Sequence, residues 1–438
     1  ADAFWTAAGL AIGTYINWLI VAKRLRKYTV ACNNSTTLPV FFSNRYRDEK
    51  RILSIIAAIV IIIFFVPYTA SGFAACGKLF ASLFNIDYFV AMIISAVVIV
   101  GYTTLGGFLA ASTSDFLQSI VMTIAIFVVL GYGVVTAGGV DNVLANANTM
   151  AGYFSLTSIY DTASGVAGDY GIMNIFSMLA WGLGYFGMPH VLLRFMAIED
   201  PQKLKMSRRI ASVWVVISLG VAIAIGVVGN AMSKGGVIPE LTDSQTIIIA
   251  IATVISRHGV LAALVAGLIL AGILAATMST ADSQLLAASS SVSQNIIKEV
   301  FFKDLSEKAA MMIARISVVI ISVIAVFIAW DPNSSVFDIV SFAWAGFGAA
   351  FGPVVLLALF WKRSNKWGAL AGMFTGGVMV FVWKFLVKPV GGIWGIYELL
   401  PAFVVAIAVN VIVSLATGAP GQDVMDEFER VKAECKAK

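Results

Sequence analysis

Two aspartates lie in strongly apolar sequence, where an ionisable side chain marks a functional site by default. Ser279, Asp282 and Ser283 fall at i, i+3 and i+4, so a helix places their oxygen atoms on one face. Asp115 opens a different apolar stretch. Two hydroxyls and a carboxylate among small neighbours suit a hard cation that binds oxygen. The same residues allow an alternative, in which the hydroxyls bond back to the preceding turn and Asp282 extends to the membrane surface.

A second set of candidate residues is aromatic. Trp181, Tyr185 and Pro189 recur every four residues, which predicts a shared helix face, and the run 181–190 holds three glycines that weaken a helix. A break inside a membrane span is tolerated where the freed backbone groups line a cavity. An indole and a phenol there suit a small ligand with an apolar body. The alternative is an aromatic belt at the membrane edge or a helix-packing seam.

Two further segments have residues that bend or closely pack helices. Tyr68 follows Pro67, which removes one backbone hydrogen bond, and the run 343–353 is rich in Gly and Ala around Trp344. Either segment can serve as a packing device. Taken together, broken helices in separated parts of an apolar chain indicate a secondary transporter.

The elements that position these residues are membrane helices. Of the 438 residues, 60% are apolar and 12% are charged, with a mean hydropathy of +0.92. A soluble domain carries about 25% charged residues. One core cannot hide this much apolar surface from water, so the composition excludes a soluble protein and predicts an all-α polytopic membrane protein.

Each span requires roughly 20 apolar residues. The sequence predicts about eleven: 4–22, 52–80, 88–108, 116–137, 173–197, 209–232, 247–286, 311–330, 337–361, 367–387 and 395–417. The stretch 247–286 is too long for one span, and we expect a short helix, a turn at His258-Gly259 and a long span from Val260. Of 29 Lys and Arg residues, 24 fall in alternate loops on one side. This distribution predicts a cytoplasmic C-terminus.

The composition argues against several other functions. The net charge of +5 is spread between apolar stretches, which fits membrane topology rather than nucleic-acid binding. The two histidines and three cysteines have no metal-ligand or disulfide spacing, and no nucleophile is paired with a base, so we expect no enzyme. The transporter domain is expected over 1–419, and 420–438 is expected to be a tail with at most one amphipathic helix.

The chain resembles the sodium/solute symporter family over essentially its whole length, and within that family its proline-transporting branch. The motifs that carry the resemblance are Ile16-Asn17-Trp18, Lys23-Arg24-Leu25-Arg26, Asn33-Asn34, Thr37-Leu38-Pro39, Gly106-Gly107-Phe108-Leu109-Ala110, 181–190, Arg194-Phe195-Met196-Ala197, Met278-Ser279-Thr280 and 343–356. The resemblance implies a LeuT-like fold of two inverted five-helix repeats with flanking helices.

The resemblance also assigns roles to residues. It implies a Na⁺ site formed by Ala276 through its carbonyl and by the hydroxyls of Ser279 and Thr280. Some relatives hold a further Na⁺, and the matching positions are Asp115, Ser279, Asp282 and Ser283. The positions that match the family's substrate site are Tyr68, Trp181, Tyr185 and Pro189.

The function implied by the resemblance is sodium-coupled import of L-proline by alternating access, in the lipid bilayer of a bacterial plasma membrane. Na⁺ is the expected coupling ion, with no organic cofactor, and we expect a monomer. The alternatives are another solute, such as a different amino acid, pantothenate or a sugar acid, or a membrane sensor module. A sugar acid should require an additional Arg or Gln in the pocket.

Three departures from the family pattern qualify these expectations. The first two family helices are expected to be absent, and with them part of each site. Asp282 stands where relatives carry a small hydroxyl residue. Val40 stands where an acidic residue is usual, so no function is assigned to its loop.

Overall fold

A computed structural model describes residues 1–302 and 304–436, and gives the backbone alone for 106–112 and 300. The motif Gly106 to Ala110 therefore lies outside the residues whose side chains are described. The α-helices, in chain order, are α1 Asp2–Ile16, α2 Ala22–Ala31, α3 Leu38–Arg45, α4 Ile52–Phe84, α5 Tyr88–Thr136, α6 Val140–Asn148, α7 Ile172–Leu179, α8 Pro189–Ala197, α9 Leu204–Lys234, α10 Ile247–Ser256, α11 Val260–Ser290, α12 Glu307–Ile328, α13 Val336–Phe360, α14 Lys366–Val382, α15 Leu399–Ala416 and α16 Gln422–Lys436.

Shorter helical and extended segments join them. π-Helical turns occupy Asn17–Val21, Ser291–Phe301 and Trp383–Val387, and 3₁₀ turns occupy Ala180–Phe186, Pro201–Lys203, Ser244–Thr246, Lys388–Val390 and Gly392–Gly395. Strands β1 Ser158–Tyr160 and β2 Ala167–Asp169 form an antiparallel hairpin in the loop after α6.

The predicted number of spans is confirmed. Within the described residues, ten helices are long and apolar enough to cross a membrane, and the pair α7–α8, bent by 42°, makes an eleventh span. The stretch 247–286 divides as predicted into α10 and α11, because Gly259 adopts φ +106°, which favours glycine. The amphipathic tail helix is α16.

Helix α5 contains two of these spans, Tyr88–Leu105 and Thr113–Thr136. The hydroxyl of Tyr88 donates to the carbonyl of Ala329 at the end of α12 over 2.7 Å. Asp115, in the middle of α5, pairs with Arg194 at the other end of the bundle. The last turn of α5 returns to the end of α9, where it contacts Met232. Contacts of the first, middle and last parts of α5 thus involve α12, α8 and α9 in turn.

One end of the bundle carries α16, and we call it the C-terminal face; the other end is the opposite face. Lys23 donates to a carbonyl of α16 over 3.2 Å. Arg47 pairs with Glu427 of α16 at 2.8 Å, and Lys362 pairs with Glu429 at 3.6 Å. The basic segments that follow α1, α3 and α13 therefore meet at this face, which agrees with the alternating charge pattern.

Candidate functional site

The helix 172–197 is broken where the sequence predicts a break. α7 ends at Leu179, a 3₁₀ segment runs over Ala180–Phe186, and α8 begins at Pro189. Proline suits the first position of a helix because its nitrogen needs no acceptor there. We call Ala180–Phe186 the broken segment. It lies inside the protein, where an irregular backbone within a membrane protein is tolerated.

The glycines of the broken segment allow other helices to approach it closely. A Cβ atom at Gly182 would lie 2.2 Å from the carbonyl oxygen of Gly9 on α1. A Cβ atom at Gly184 would lie 2.0 Å from the indole nitrogen of Trp344 on α13. These glycines therefore do more than weaken the helix, because a side chain at either position would displace a neighbour.

Side chains of neighbouring helices bond to carbonyl groups of the broken segment. The indole nitrogen of Trp344 donates to the carbonyl of Trp181 over 2.8 Å. The amide nitrogen of Asn17 donates to the carbonyl of Tyr185 over 3.0 Å. Asn17 is fully buried at the start of a π-helical turn, a local irregularity that often marks functional sites. The broken segment is thus held both from the turn after α1 and from α13.

Trp181 and Tyr185 meet around one further aromatic ring. The ring centroid of Trp344 lies 5.0 Å from Tyr185, edge to face, and 6.3 Å from Trp181. Trp181 also packs against Phe337 at 5.1 Å and Tyr397 at 5.0 Å, and only 5% of Trp181 is exposed. The result is an aromatic cluster at one end of the broken segment, built from polarisable rings that suit an apolar ligand body.

Pro189 and His190 begin α8 on the other side of the break, and Tyr68 lies near His190. The ring of Tyr68, on α4, is 6.4 Å from that of His190. Pro189 and His190 line a cavity of about 1480 Å³ that extends to Lys298 and Glu307 at the C-terminal face. The four predicted substrate residues therefore surround the break, with the aromatic cluster on one side and the cavity on the other.

The predicted Na⁺ residues lie together on α11. The hydroxyl of Ser279 is 3.1 Å from the carbonyl oxygen of Ala276, and the hydroxyl of Thr280 is 3.0 Å from the same atom. Both hydroxyls therefore make the back-bonds that were the alternative interpretation. The arrangement also concentrates three neutral oxygen atoms, the ligand type that a hard cation takes.

Asp282 does not extend to the membrane surface. It is fully buried, and the hydroxyl of Tyr102 on α5 donates to it. A buried carboxylate requires such a partner because burial without one is costly. This contact excludes the surface alternative for Asp282 and adds a residue that sequence reasoning missed.

Asp115 and Ser283 are brought together by Arg194 of α8. The guanidinium lies 2.6 Å from a carboxylate oxygen of Asp115 and 3.3 Å from the hydroxyl of Ser283. The other carboxylate oxygen of Asp115 is buried and has no hydrogen-bond partner among the described residues. Arg194 appears in the sequence only as part of a family motif, and its pairing with Asp115 has no local signal.

The broken helix, the spans around it and the oxygen-rich face of α11 define a secondary transporter with a LeuT-like fold. The sodium:solute symporter family matches residues 1–376. The chain belongs to this family, and it is a sodium-coupled symporter rather than an enzyme.

Relatives with known names agree with this assignment. The sodium/proline symporter 2 of Staphylococcus saprophyticus is 38% identical over 437 residues, covering 98% of this chain and 82% of that protein. The osmoregulated proline transporter OpuE of Bacillus subtilis is 39% identical over 419 residues, covering 95% of this chain and 82% of that protein. A solved structure of a Na⁺-coupled sialic acid symporter shares the fold, with a TM-score of 0.69 at 14% identity over 95% of this chain and 91% of that one.

Proposed function

We propose that the chain imports L-proline together with Na⁺ by alternating access, as a monomer in a bacterial plasma membrane. The observation that carries the proposal is the broken segment, which holds the Trp181 and Tyr185 rings and is followed by Pro189 and His190, two residues that line a cavity reaching the C-terminal face. Proline is a small solute with an apolar ring, and such a ring packs well on aromatic side chains. The names of the relatives support proline over other solutes.

The C-terminal face is the cytoplasmic face in this proposal. The support is the distribution of basic residues, 24 of 29 of which fall in alternate loops that include those contacting α16. The cavity then faces the cytoplasm. The aromatic cluster around Trp181 lies on the other side of the break and is buried, as expected of an inward-facing state.

Coupling is assigned to the oxygen atoms of Ala276, Ser279 and Thr280. The two hydroxyls give up their back-bonds to Ala276 and turn toward the ion, while the remaining ligands come from other groups. One charge moving down a potential of 100 mV releases about 2.3 kcal/mol. At about 1.4 kcal/mol per decade this supports roughly fifty-fold accumulation of the solute. One Na⁺ per solute is therefore sufficient.

A second cation is assigned, as a lesser part of the proposal, to Asp115, Asp282 and Ser283. The support is the unpartnered oxygen of Asp115 and the burial of Asp282. The guanidinium of Arg194 already bonds Asp115 and Ser283, so a second Na⁺ can bind only after Arg194 moves away. In this proposal the guanidinium of Arg194 competes with Na⁺ for the oxygen atoms of Asp115 and Ser283.

The experiment is uptake of labelled proline into proteoliposomes with an imposed inward Na⁺ gradient. We expect accumulation that collapses when K⁺ replaces Na⁺ and that excess unlabelled proline abolishes. Excess pantothenate, a sugar acid or other amino acids should compete poorly. Strong competition by one of these, with weak proline uptake, would move the solute assignment to that compound. A rate of proline uptake that does not depend on the Na⁺ gradient would refute the proposal.

A further inference from the structure

The connection between α14 and α15 inserts into the bundle from the opposite face. Its last residues, Ile396 to Glu398, and Leu399 at the start of α15 are 8%, 4%, 0% and 0% exposed. Connecting segments normally run over the surface, because their backbone groups need water. An insertion of this depth requires partners inside the protein, and Tyr397 provides them.

Tyr397 joins three parts of the site. Its ring stacks on Trp181 with a centroid distance of 5.0 Å and an interplanar angle of 19°. Its backbone nitrogen donates to the hydroxyl of Ser177 on α7 over 2.7 Å. Its phenol donates to the carbonyl of Ser341 on α13 over 2.6 Å. The residue thus holds the broken helix and α13 together beside the indole.

Glu398 fixes the base of the insertion. This fully buried carboxylate lies 3.1 Å from the ammonium of Lys388 and 3.8 Å from that of Lys384. Lys384 also lies over the ring of Phe342 on α13, 4.8 Å from its centroid. A buried carboxylate that loses its cations is strongly destabilised, so the insertion is held firmly in place.

We infer that Tyr397 is a positioning residue of the solute site, which orients Trp181 and closes the pocket toward the opposite face. The inference rests on the proposed function, in which Trp181 contacts the solute. Tyr397 covers an indole that is only 5% exposed. A solute arriving from the opposite face can reach that indole only after the stack separates.

The test uses Tyr397→Leu, which removes the ring, and Tyr397→Phe, which keeps the ring and removes the bond to Ser341. Tyr88→Phe is the matched control, because its phenol also donates to a carbonyl at the opposite face, over 2.7 Å. Each variant is combined with Ser341→Cys as a reporter. The reporter is labelled from the opposite face with a membrane-impermeant maleimide, and proline KM and Vmax are measured in parallel.

We expect Tyr397→Leu to raise the KM for proline about three- to tenfold, the effect of losing one aromatic pair, with little change in Vmax. Reporter labelling should become several-fold faster in the same variant. Tyr397→Phe should change the KM for proline by less than twofold and still accelerate labelling of the reporter. If Tyr397→Leu does not reach the membrane, the labelling rate of Tyr397→Phe alone tests the closure by Tyr397. Tyr88→Phe should change neither quantity.

Unchanged labelling in both Tyr397 variants would overturn the inference, as would a fall in Vmax at constant KM, which indicates a purely structural role. Absence of Na⁺-driven proline uptake by the unsubstituted chain would refute the proposed function instead. The labelling rates are measured without solute, so they test the closure by Tyr397 whether or not the proposed function is correct.

Discussion

Trp344 on α13 supports the broken segment at two points. Its indole nitrogen donates to the carbonyl of Trp181 over 2.8 Å, and its ring lies perpendicular to that of Tyr185 with the centroids 5.0 Å apart. A residue 163 positions further along the chain than Trp181 thus contacts both Trp181 and Tyr185 of the proposed solute pocket.

Replacing Trp344 by Phe keeps an aromatic ring but leaves the Trp181 carbonyl without its side-chain donor. An unsatisfied buried polar group costs about 1–3 kcal/mol, so we expect a lower melting temperature and a proline KM raised at least threefold. Thermal unfolding in detergent and uptake kinetics measure the two effects. The control is Trp330→Phe, at a ring that is 48% exposed. Equal losses in both variants would contradict a specific role for Trp344.

Replacing Trp181 by Ala removes the indole at the centre of the aromatic cluster. We expect a higher KM for proline with Na⁺ activation retained, because the oxygen atoms of α11 are untouched. Trp394→Ala is the control, since that ring lies in the connection after α14 and is 47% exposed. A proline concentration profile identical to that of the unsubstituted chain would place the solute pocket elsewhere.

Ser279→Ala and Thr280→Ala each remove one proposed Na⁺ ligand and one back-bond to Ala276. We expect the Na⁺ concentration for half-maximal uptake to rise about tenfold or more, with expression little changed. Ser289→Ala is matched, because Ser289 makes a similar back-bond on α11, to Leu286 over 3.2 Å. Ordinary Na⁺ activation in both test variants would remove these residues from the ion site.

Arg194→Gln tests whether the guanidinium competes with a second cation. Freed from Arg194, Asp115 and Ser283 should accept Na⁺ more readily, so we expect half-maximal activation at a lower Na⁺ concentration and a higher Hill coefficient. Asp115→Asn removes a proposed ligand of the second cation, so we expect a Hill coefficient of one for this variant. The control is Arg209→Gln, an exposed arginine near the start of α9. Sodium activation curves that are superimposable for all three variants would exclude a second ion here.

Asp243, in the loop before α10, provides a pH dependence outside the membrane. Partial burial would raise the pKa of this carboxyl, but hydrogen bonds from Lys78 and from the backbone of Gln245 outweigh it and hold the pKa below its ordinary value. A depressed pKa contributes stability above the ordinary value of about 3.9, and this is lost as the pH falls through the folded value. Asp243→Asn should therefore lower the melting temperature at pH 6 and much less near pH 3. Glu240→Gln, at an exposed position, should change the melting temperature equally at pH 6 and pH 3. An effect of Asp243→Asn that is the same at both pH values would refute a stabilising role for the Lys78–Asp243 ion pair.

The spans and the break at Ala180–Phe186 could be predicted from the sequence, because both depend on local features. About 20 consecutive apolar residues define a span, and glycines with a proline define a break. The shared helix face of Ser279, Asp282 and Ser283 could also be predicted, because it depends only on their spacing. The contact between Tyr102 and Asp282 could not be predicted, because the two residues are 180 positions apart in the chain.

Contacts between residues distant in the chain also explain why the sequence did not indicate the roles of Arg194 and Tyr397. Arg194 and Asp115 are 79 residues apart, and Tyr397 lies in a connection whose composition gives no indication that it inserts into the bundle. Periodicity shows which face of a helix is apolar, but not which helix covers it. Pairings of this kind depend on the packing of the whole bundle.

The contact between α1 and the broken segment has a mechanical consequence. A Cβ atom at Gly13 would lie 2.3 Å from the carbonyl oxygen of Gly182, so main chain touches main chain at this point. Side chains that change rotamer let helices slide past each other, and here none intervenes. We therefore expect α1 and the broken segment to move together as one rigid unit, and the movement that opens or closes the pocket to occur at interfaces where side chains separate the helices.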